Sequence, residues 1–148
     1  TIIVQNQGQL EVLRDVSFAV DAITDAVADD LHIDITDTET ARRAFSESNE
    51  EFMGILRDSI QPLRREIQRT IGAVERSADA LTSLKLYLAG GGSQTPGMPR
   101  YLSEQLDVDV NYFNPFQGLE TDCQLPDEPA YRASFSVAVG AAMLGENT

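Results

Sequence analysis

The sequence predicts an α/β protein, and three patterns along its 148 residues support this fold class. Near the N-terminus, apolar and polar residues alternate on both sides of a turn that carries Asn6 and Gly8, which is typical of a β-hairpin. Apolar residues then recur every three or four positions in long stretches before residue 80, as they do in amphipathic helices. Residues 84–113 follow the order strand, glycine turn, helix, strand, which indicates a βαβ unit with parallel strands.

Composition and charge narrow the classes of function. The chain has 24 acidic residues against 11 lysines and arginines, and the net charge of −13 leaves no basic surface for a phosphate backbone. We therefore expect no nucleic-acid partner. One cysteine and one histidine cannot form an internal disulfide or a multi-histidine zinc site, so we expect a reduced, cytoplasmic protein. The longest apolar runs stop far short of the roughly 20 residues of a membrane-spanning helix.

The first half of the chain is expected to be a hairpin followed by helices. The predicted elements are strands over residues 1–4 and 9–13 and helices over residues 17–31, 36–45 and 48–80. Thr36 and Glu39 have the spacing of a capping box, which predicts the start of the short second helix. Pro62 is expected to kink the long third helix or split it in two, because proline cannot donate the helical hydrogen bond.

The second half contains the predicted βαβ unit and a C-terminal helix. The predicted elements are strands over residues 84–88 and 108–113, a helix from Met98 to Leu106, a loop over residues 117–129 and a helix over residues 133–144. We expect the strand at residues 84–88 to be buried. The last helix consists almost entirely of small or apolar residues and is expected to be buried on most sides.

Three consecutive glycines, Gly90, Gly91 and Gly92, separate the strand from the following helix. Backbone without Cβ atoms allows a flat ligand to lie directly against it, and the start of the next helix offers N–H groups. This arrangement suits a nucleotide. It matches neither the phosphate-binding loop G-x-x-x-x-G-K-[ST] nor G-x-G-x-x-G. A strand-to-helix turn that requires positive φ would use glycine in the same way, so both interpretations stay open here.

Other residues that could support catalysis are better explained without it. The acid pair Asp107 and Asp109 has no nearby histidine or nucleophile, which favours solvated surface charge. Ser93 lacks the G-x-S-x-G frame of a hydrolase nucleophile, and Cys123 lies in an acidic loop that disfavours its thiolate. The sequence therefore predicts no catalytic residue.

Several segments, taken in order, resemble one superfamily. Residues 88–98 resemble the adenosine motif of the actin, Hsp70 and sugar kinase superfamily, in which a strand ends in a glycine turn followed by a proline and a helix. More narrowly, the sequence resembles the PilM family of actin-like ATPases in type IV pilus assembly. That resemblance is also carried by Arg14-Asp15-Val16, by Asn114-Pro115-Phe116 after residues 101–106, and by residues 134–142.

This resemblance implies an RNase H-like second lobe of an actin-like ATPase. Residues 1–30 and 80–148 would form the core of the lobe, and residues 31–79 would form an inserted helical subdomain. The complete protein would bind ATP with Mg²⁺.

The resemblance also assigns contacts in that ATP site. The three glycines would approach the adenosine, and Gln94 would lie near the base. Glu39 would bind the ribose hydroxyls and Arg42 the edge of the base or sugar. As alternatives, Glu39 caps a helix and Arg42 pairs across the surface. The family has lysine where this chain has Arg42, and Gly-Gly where it has Ala19-Val20.

The resemblance further implies a role and partners. Both phosphate-binding loops of the superfamily would precede Thr1, so this chain by itself is not expected to hydrolyse ATP. The protein would act as a scaffold on the cytoplasmic face of the inner membrane. Its partners would be a PilN-like membrane protein bound through the preceding first lobe, other pilus platform proteins and further copies of itself. The alternatives are an FtsA-like or GspL-like scaffold, or an unrelated small α/β binding domain with a structural glycine turn.

Overall fold

The computed structural model describes residues 1–6, 9–16, 20–34, 36, 45–77, 84–120, 122 and 124–145. They form β1 (Ile2–Asn6), β2 (Gln9–Arg14), α1 (Asp21–Leu31), α2 (Glu50–Ser59), α3 (Gln61–Ser77), β3 (Lys85–Leu88), a 3₁₀ turn (Gly91–Gln94), α4 (Met98–Leu106), β4 (Asp109–Tyr112), α5 (Pro129–Ser134) and α6 (Ser136–Gly145). The chain divides into two compact units, residues 1–82 and residues 83–148. The division into a core and an inserted subdomain, which the resemblance implies, stays a prediction.

The N-terminal hairpin is confirmed. β1 and β2 pair antiparallel, with Ile2 opposite Arg14 and Val4 opposite Val12. The register then shifts after Val4, so that Gln5 lies opposite Leu10 and Glu11 is the extra residue of a bulge. Most of β2 is exposed, and only Val12 and Arg14 are half-buried.

Helices α1 and α2 form the core of the first unit. They pack against each other through side chains that are almost completely buried, namely Ile23 and Val27 from α1 and Phe52 and Leu56 from α2. These positions lie four residues apart on each helix, which is one of the spacings that predicted amphipathic helices. Most of residues 36–45, including the predicted capping glutamate Glu39, fall outside the described residues.

The long helix predicted over residues 48–80 is split, as Pro62 suggested. α2 ends at Ser59 and α3 begins at Gln61, with Ile60 between them. α2 begins at Glu50, where the Asn49 side chain accepts hydrogen bonds from the N–H groups of Glu51 and Phe52 at 3.0 and 3.3 Å. Asparagine is a preferred N-cap because its short side chain reaches these otherwise unpaired N–H groups.

The βαβ unit of the second half is also confirmed. β3 and β4 are parallel neighbours, with Leu86 opposite Val110 and Leu88 opposite Tyr112, and α4 lies between them in sequence. α4 packs on β4 and buries Met98, Tyr101 and Leu102. The prediction that β3 is a buried strand was wrong: exposed and half-buried residues alternate along it because this sheet has a solvent-facing side.

The C-terminal helix also differs from its prediction. Two helices replace the single one, since α5 ends at Ser134 and α6 begins at Ser136. α5 is anchored by the buried residues Ala130 and Ala133, whereas most of α6 faces solvent, with Val137 78% and Leu144 76% exposed. An apolar composition favours burial of a helix, but the helix is buried only where another part of the fold packs against it. Among the described residues, no helix is long and apolar enough to cross a membrane.

Candidate functional site

The glycine turn changes the chain direction between β3 and α4. Gly90 has φ +82° and ψ −179°, a backbone conformation that is essentially restricted to glycine. A short 3₁₀ turn over Gly91–Gln94 follows, and Gly97 then adopts the left-handed conformation at the start of α4. Positive φ at Gly90 and Gly97 explains part of the glycine content of this segment, as the structural interpretation expected.

Hydrogen bonds fasten this turn to α5. The N–H of Gly90 donates to the carbonyl oxygen of Ala133 at 2.8 Å. The Ser93 hydroxyl lies 2.7 Å from the carbonyl oxygen of Gly90 and 3.1 Å from that of Ala130, so its one proton serves two acceptors. Ser93 is only 2% exposed. Because its partners come from both the turn and α5, the glycine backbone is held in a defined position.

The outer side of the turn is open. A Cβ atom built on Gly90 or Gly91 would meet no atom within 4 Å beyond those of the turn itself. Gly91 is not in a positive-φ conformation, so its lack of a side chain is not required by backbone strain. The side chain of Gln94 is exposed beside it. An uncovered peptide surface with an adjacent amide side chain fits a flat, hydrogen-bonding ring such as a nucleobase.

The structure brings together some of the predicted site residues. Gly90, Gly91, Gly92 and Gln94 share one turn, whose backbone is exposed at Gly91. Glu39 and Arg42, the predicted ribose and base contacts, lie outside the described residues, so their roles stay predictions. Across the described part of the chain, no group of three or more histidine, cysteine or acidic side chains is arranged to hold a metal ion.

Sequence reasoning missed the structural role of Ser93. It considered this residue only as a nucleophile and rejected that role, and the structure shows a buried hydroxyl that positions the turn. Thr95 is also buried, at 7% exposure. The signal available in the sequence was small polar residues directly after glycines, which often bond to nearby backbone groups.

Comparison with known proteins decides the family. The sequence pattern of the type IV pilus assembly protein PilM family matches residues 1–146. The chain belongs to the PilM family. This membership decides between PilM and the FtsA-like, GspL-like and unrelated-domain alternatives. No curated protein matches the chain.

A solved structure confirms the fold. The chain is similar to one in a structure described as a "PilM-PilN type IV pilus biogenesis complex", with a TM-score of 0.69 and 23% sequence identity. The match covers 93% of this chain and 40% of the solved one. The predicted α/β, actin-like fold class of PilM is therefore confirmed, and the present chain spans less than half the length of its structural relative.

Proposed function

We propose that this chain supplies the adenosine side of an ATP site in a PilM-family protein. The observation that carries the proposal is the open backbone at Gly90 and Gly91, where an added Cβ would meet no atom within 4 Å. A turn needed only for its geometry would require glycine at Gly90, where φ is positive, but not at Gly91. The uncovered second glycine therefore favours a ligand that lies against the backbone.

The neighbouring residues suit an adenine nucleoside. The exposed amide of Gln94 can donate to and accept from the edge of the base. A 3₁₀ turn leaves its first N–H groups without a partner inside the turn, and these can also donate to a ligand. Following the family resemblance, Glu39 would accept protons from the ribose hydroxyls and Arg42 would contact the base or sugar edge.

The phosphates and Mg²⁺ would be held by the phosphate-binding loops that characterise the superfamily that the sequence resembles. Magnesium would neutralise phosphate charge when bound, and the role of the present residues is to orient the nucleoside. We accordingly propose ATP with Mg²⁺ as the cofactor of the complete protein and assign no catalytic residue to this chain.

The proposed biological role is that of a scaffold in type IV pilus assembly. Membership of the PilM family supports a part in this machine. The solved relative is described as part of a "PilM-PilN type IV pilus biogenesis complex". We propose that the complete protein binds a PilN-like partner through its first lobe, on the cytoplasmic face of the inner membrane, together with other platform proteins.

Hydrogen exchange on the full-length protein tests the nucleotide proposal directly. With Mg-ATP added, exchange of the amides of residues 91–94 should slow at least tenfold, while the turn at Gly118 should not change. Gly118 is a suitable control because it too has positive φ and open space around it. If Mg-ATP slowed amide exchange elsewhere in the protein but not in this turn, the glycines would have a purely structural role. If a calorimetric titration showed no ATP binding at all, the nucleotide proposal would be wrong and the protein would be a scaffold that binds no nucleotide.

A further inference from the structure

Helices α2 and α3 carry opposite charges along one face. Glu51 and Asp58 are seven residues apart on α2, and Arg69 and Arg76 are seven residues apart on α3. Asp58 and Arg69 are separated by eleven residues. Seven and eleven residues are each close to a whole number of turns at about 3.6 residues per turn, so these four positions share a face wherever the helix continues.

The helical path does continue through the break at Pro62. The N–H of Ile60 donates to the carbonyl oxygen of Leu56, and the N–H of Arg64 donates to that of Ile60, both at 3.0 Å. Ile60 itself stays in the right-handed helical region, with φ −87° and ψ −5°. The acidic and basic positions therefore follow one another along a single kinked rod.

This charged face points away from the core of the first unit. The buried positions of the two helices and of the residue between them are Phe52, Leu56, Ile60, Ile67, Thr70 and Val74. Glu51, Asp58, Arg69 and Arg76 are all exposed, and Arg69 retains 69% side-chain exposure while pairing with Glu66. Within the described parts of the chain, Glu51, Asp58 and Arg76 form no ion pair.

The acidic half of the face is also one wall of a groove between α1 and α2. The groove has a volume of about 560 Å³ and is lined by Ala26, Asp30, Leu31, Glu51, Gly54, Ile55, Asp58 and Ser59. The lining therefore combines the apolar side chains of Ala26, Leu31 and Ile55 with the carboxylates of Asp30, Glu51 and Asp58. This combination suits a helix that carries arginines.

We propose that a second copy of this chain binds here, with its α2–α3 rod antiparallel to the first. Glu51 would then face Arg76 of the partner subunit, and Asp58 would face Arg69 of the partner subunit. Both pairs fit one antiparallel register because the acids and the arginines have the same seven-residue spacing.

The arrangement of charges on α2 and α3 favours a second copy as the partner, because the acidic half of one rod complements the basic half of an identical rod that runs in the opposite direction. A two-fold axis repeats each acid–arginine pair, as an isologous interface requires. The chain has a net charge of −13 and would repel itself over most of its surface. α3 is an exception, since it contains four of the 11 cationic residues. At physiological salt, repulsion between exposed charges more than about 8 Å apart is largely screened, whereas oppositely charged groups in contact still attract each other.

Charge reversal in the full-length protein tests this interface. Sedimentation equilibrium should show a wild-type dimer. Glu51→Arg with Asp58→Arg makes the whole face basic, and Arg69→Glu with Arg76→Glu makes it acidic. Each double variant alone should raise the dimer dissociation constant at least tenfold. Mixed in equal amounts, the two variants should form a heterodimer, because an all-basic face then meets an all-acidic one.

Two controls separate this interface from general charge effects. Glu50→Arg with Glu75→Arg changes net charge by the same amount at exposed positions on another face, and it should leave the dissociation constant unchanged. If a reversal variant fails to fold by circular dichroism, Glu51→Gln with Asp58→Asn should still weaken the dimer. A monomeric wild type, an equal effect of the control, or no association in the mixture would overturn the proposal. None of these outcomes depends on nucleotide binding.

Discussion

The Ser93 hydroxyl lies 3.1 Å from the carbonyl oxygen of Ala130, so the turn that follows β3 is fastened to a helix 37 residues further along the chain. The same hydroxyl is 2.7 Å from the carbonyl oxygen of Gly90. This arrangement fixes the glycine backbone from its inner side and leaves its outer side open at Gly91. A site held this way loses little conformational freedom on binding, which favours affinity.

Replacing Ser93 with alanine should destabilise the protein. Ser93→Ala leaves the carbonyl oxygen of Ala130 without its hydroxyl partner in a buried position, so the free energy of unfolding should fall by about 1–3 kcal/mol. Urea unfolding measures this change. Ser134→Ala is the matched control, because its hydroxyl bonds to the carbonyl oxygen of Tyr131 at an exposed position. Equal effects of the two substitutions would argue against a special role of Ser93.

Filling the open side of the turn should impair nucleotide binding without harming the fold. Gly91→Val places a side chain where no atom lies within 4 Å, and it should weaken ATP binding by the full-length protein at least tenfold, about 1.4 kcal/mol. Isothermal titration calorimetry with Mg-ATP measures the change. Gly140→Val, at an equally open position in α6, should bind ATP like wild type. Unchanged affinity in folded Gly91→Val would refute the adenosine contact.

Backbone strain should distinguish two neighbouring glycines. Gly90→Ala forces a residue with a Cβ into φ +82° and ψ −179°, which should cost about 1–3 kcal/mol of unfolding free energy. Gly91→Ala has no such strain and should change stability by less than about 0.5 kcal/mol. Thermal or urea unfolding of both variants gives the comparison. Similar losses at both positions would show that the turn tolerates no side chain at all.

The start of α2 can be located by removing its cap. Asn49→Ala abolishes the side-chain acceptor for the N–H groups of Glu51 and Phe52 and should lower the free energy of unfolding by about 0.5–2 kcal/mol. Ser48→Ala, one residue earlier, should have little effect, although residue 48 was the predicted start of the helix. Denaturant unfolding of the two variants decides between them, and a larger loss at Ser48 would contradict the observed cap.

Local patterns were sufficient to predict most elements. The hairpin, the split at Pro62 and the parallel βαβ unit each depend on neighbouring residues, namely alternation, a missing N–H group and the order of short segments. Exposure was harder to predict. The apolar composition of α6 suggested burial, yet Val137 and Leu144 face solvent, because burial depends on which surfaces the rest of the fold places beside a helix.

The amino-acid sequence alone determined the α/β class, the order of most of the described elements, and the glycine turn as the candidate site, since each depends on residue spacing and residue type over short distances. Only the tertiary structure decided that Ser93 bonds to Ala130 and that Gly91 is uncovered. It likewise decided that the charged face of α2 and α3 lies opposite the buried one. These features depend on residues far apart in the chain. Tertiary packing, rather than local secondary-structure propensity, determines which of these residues come into contact.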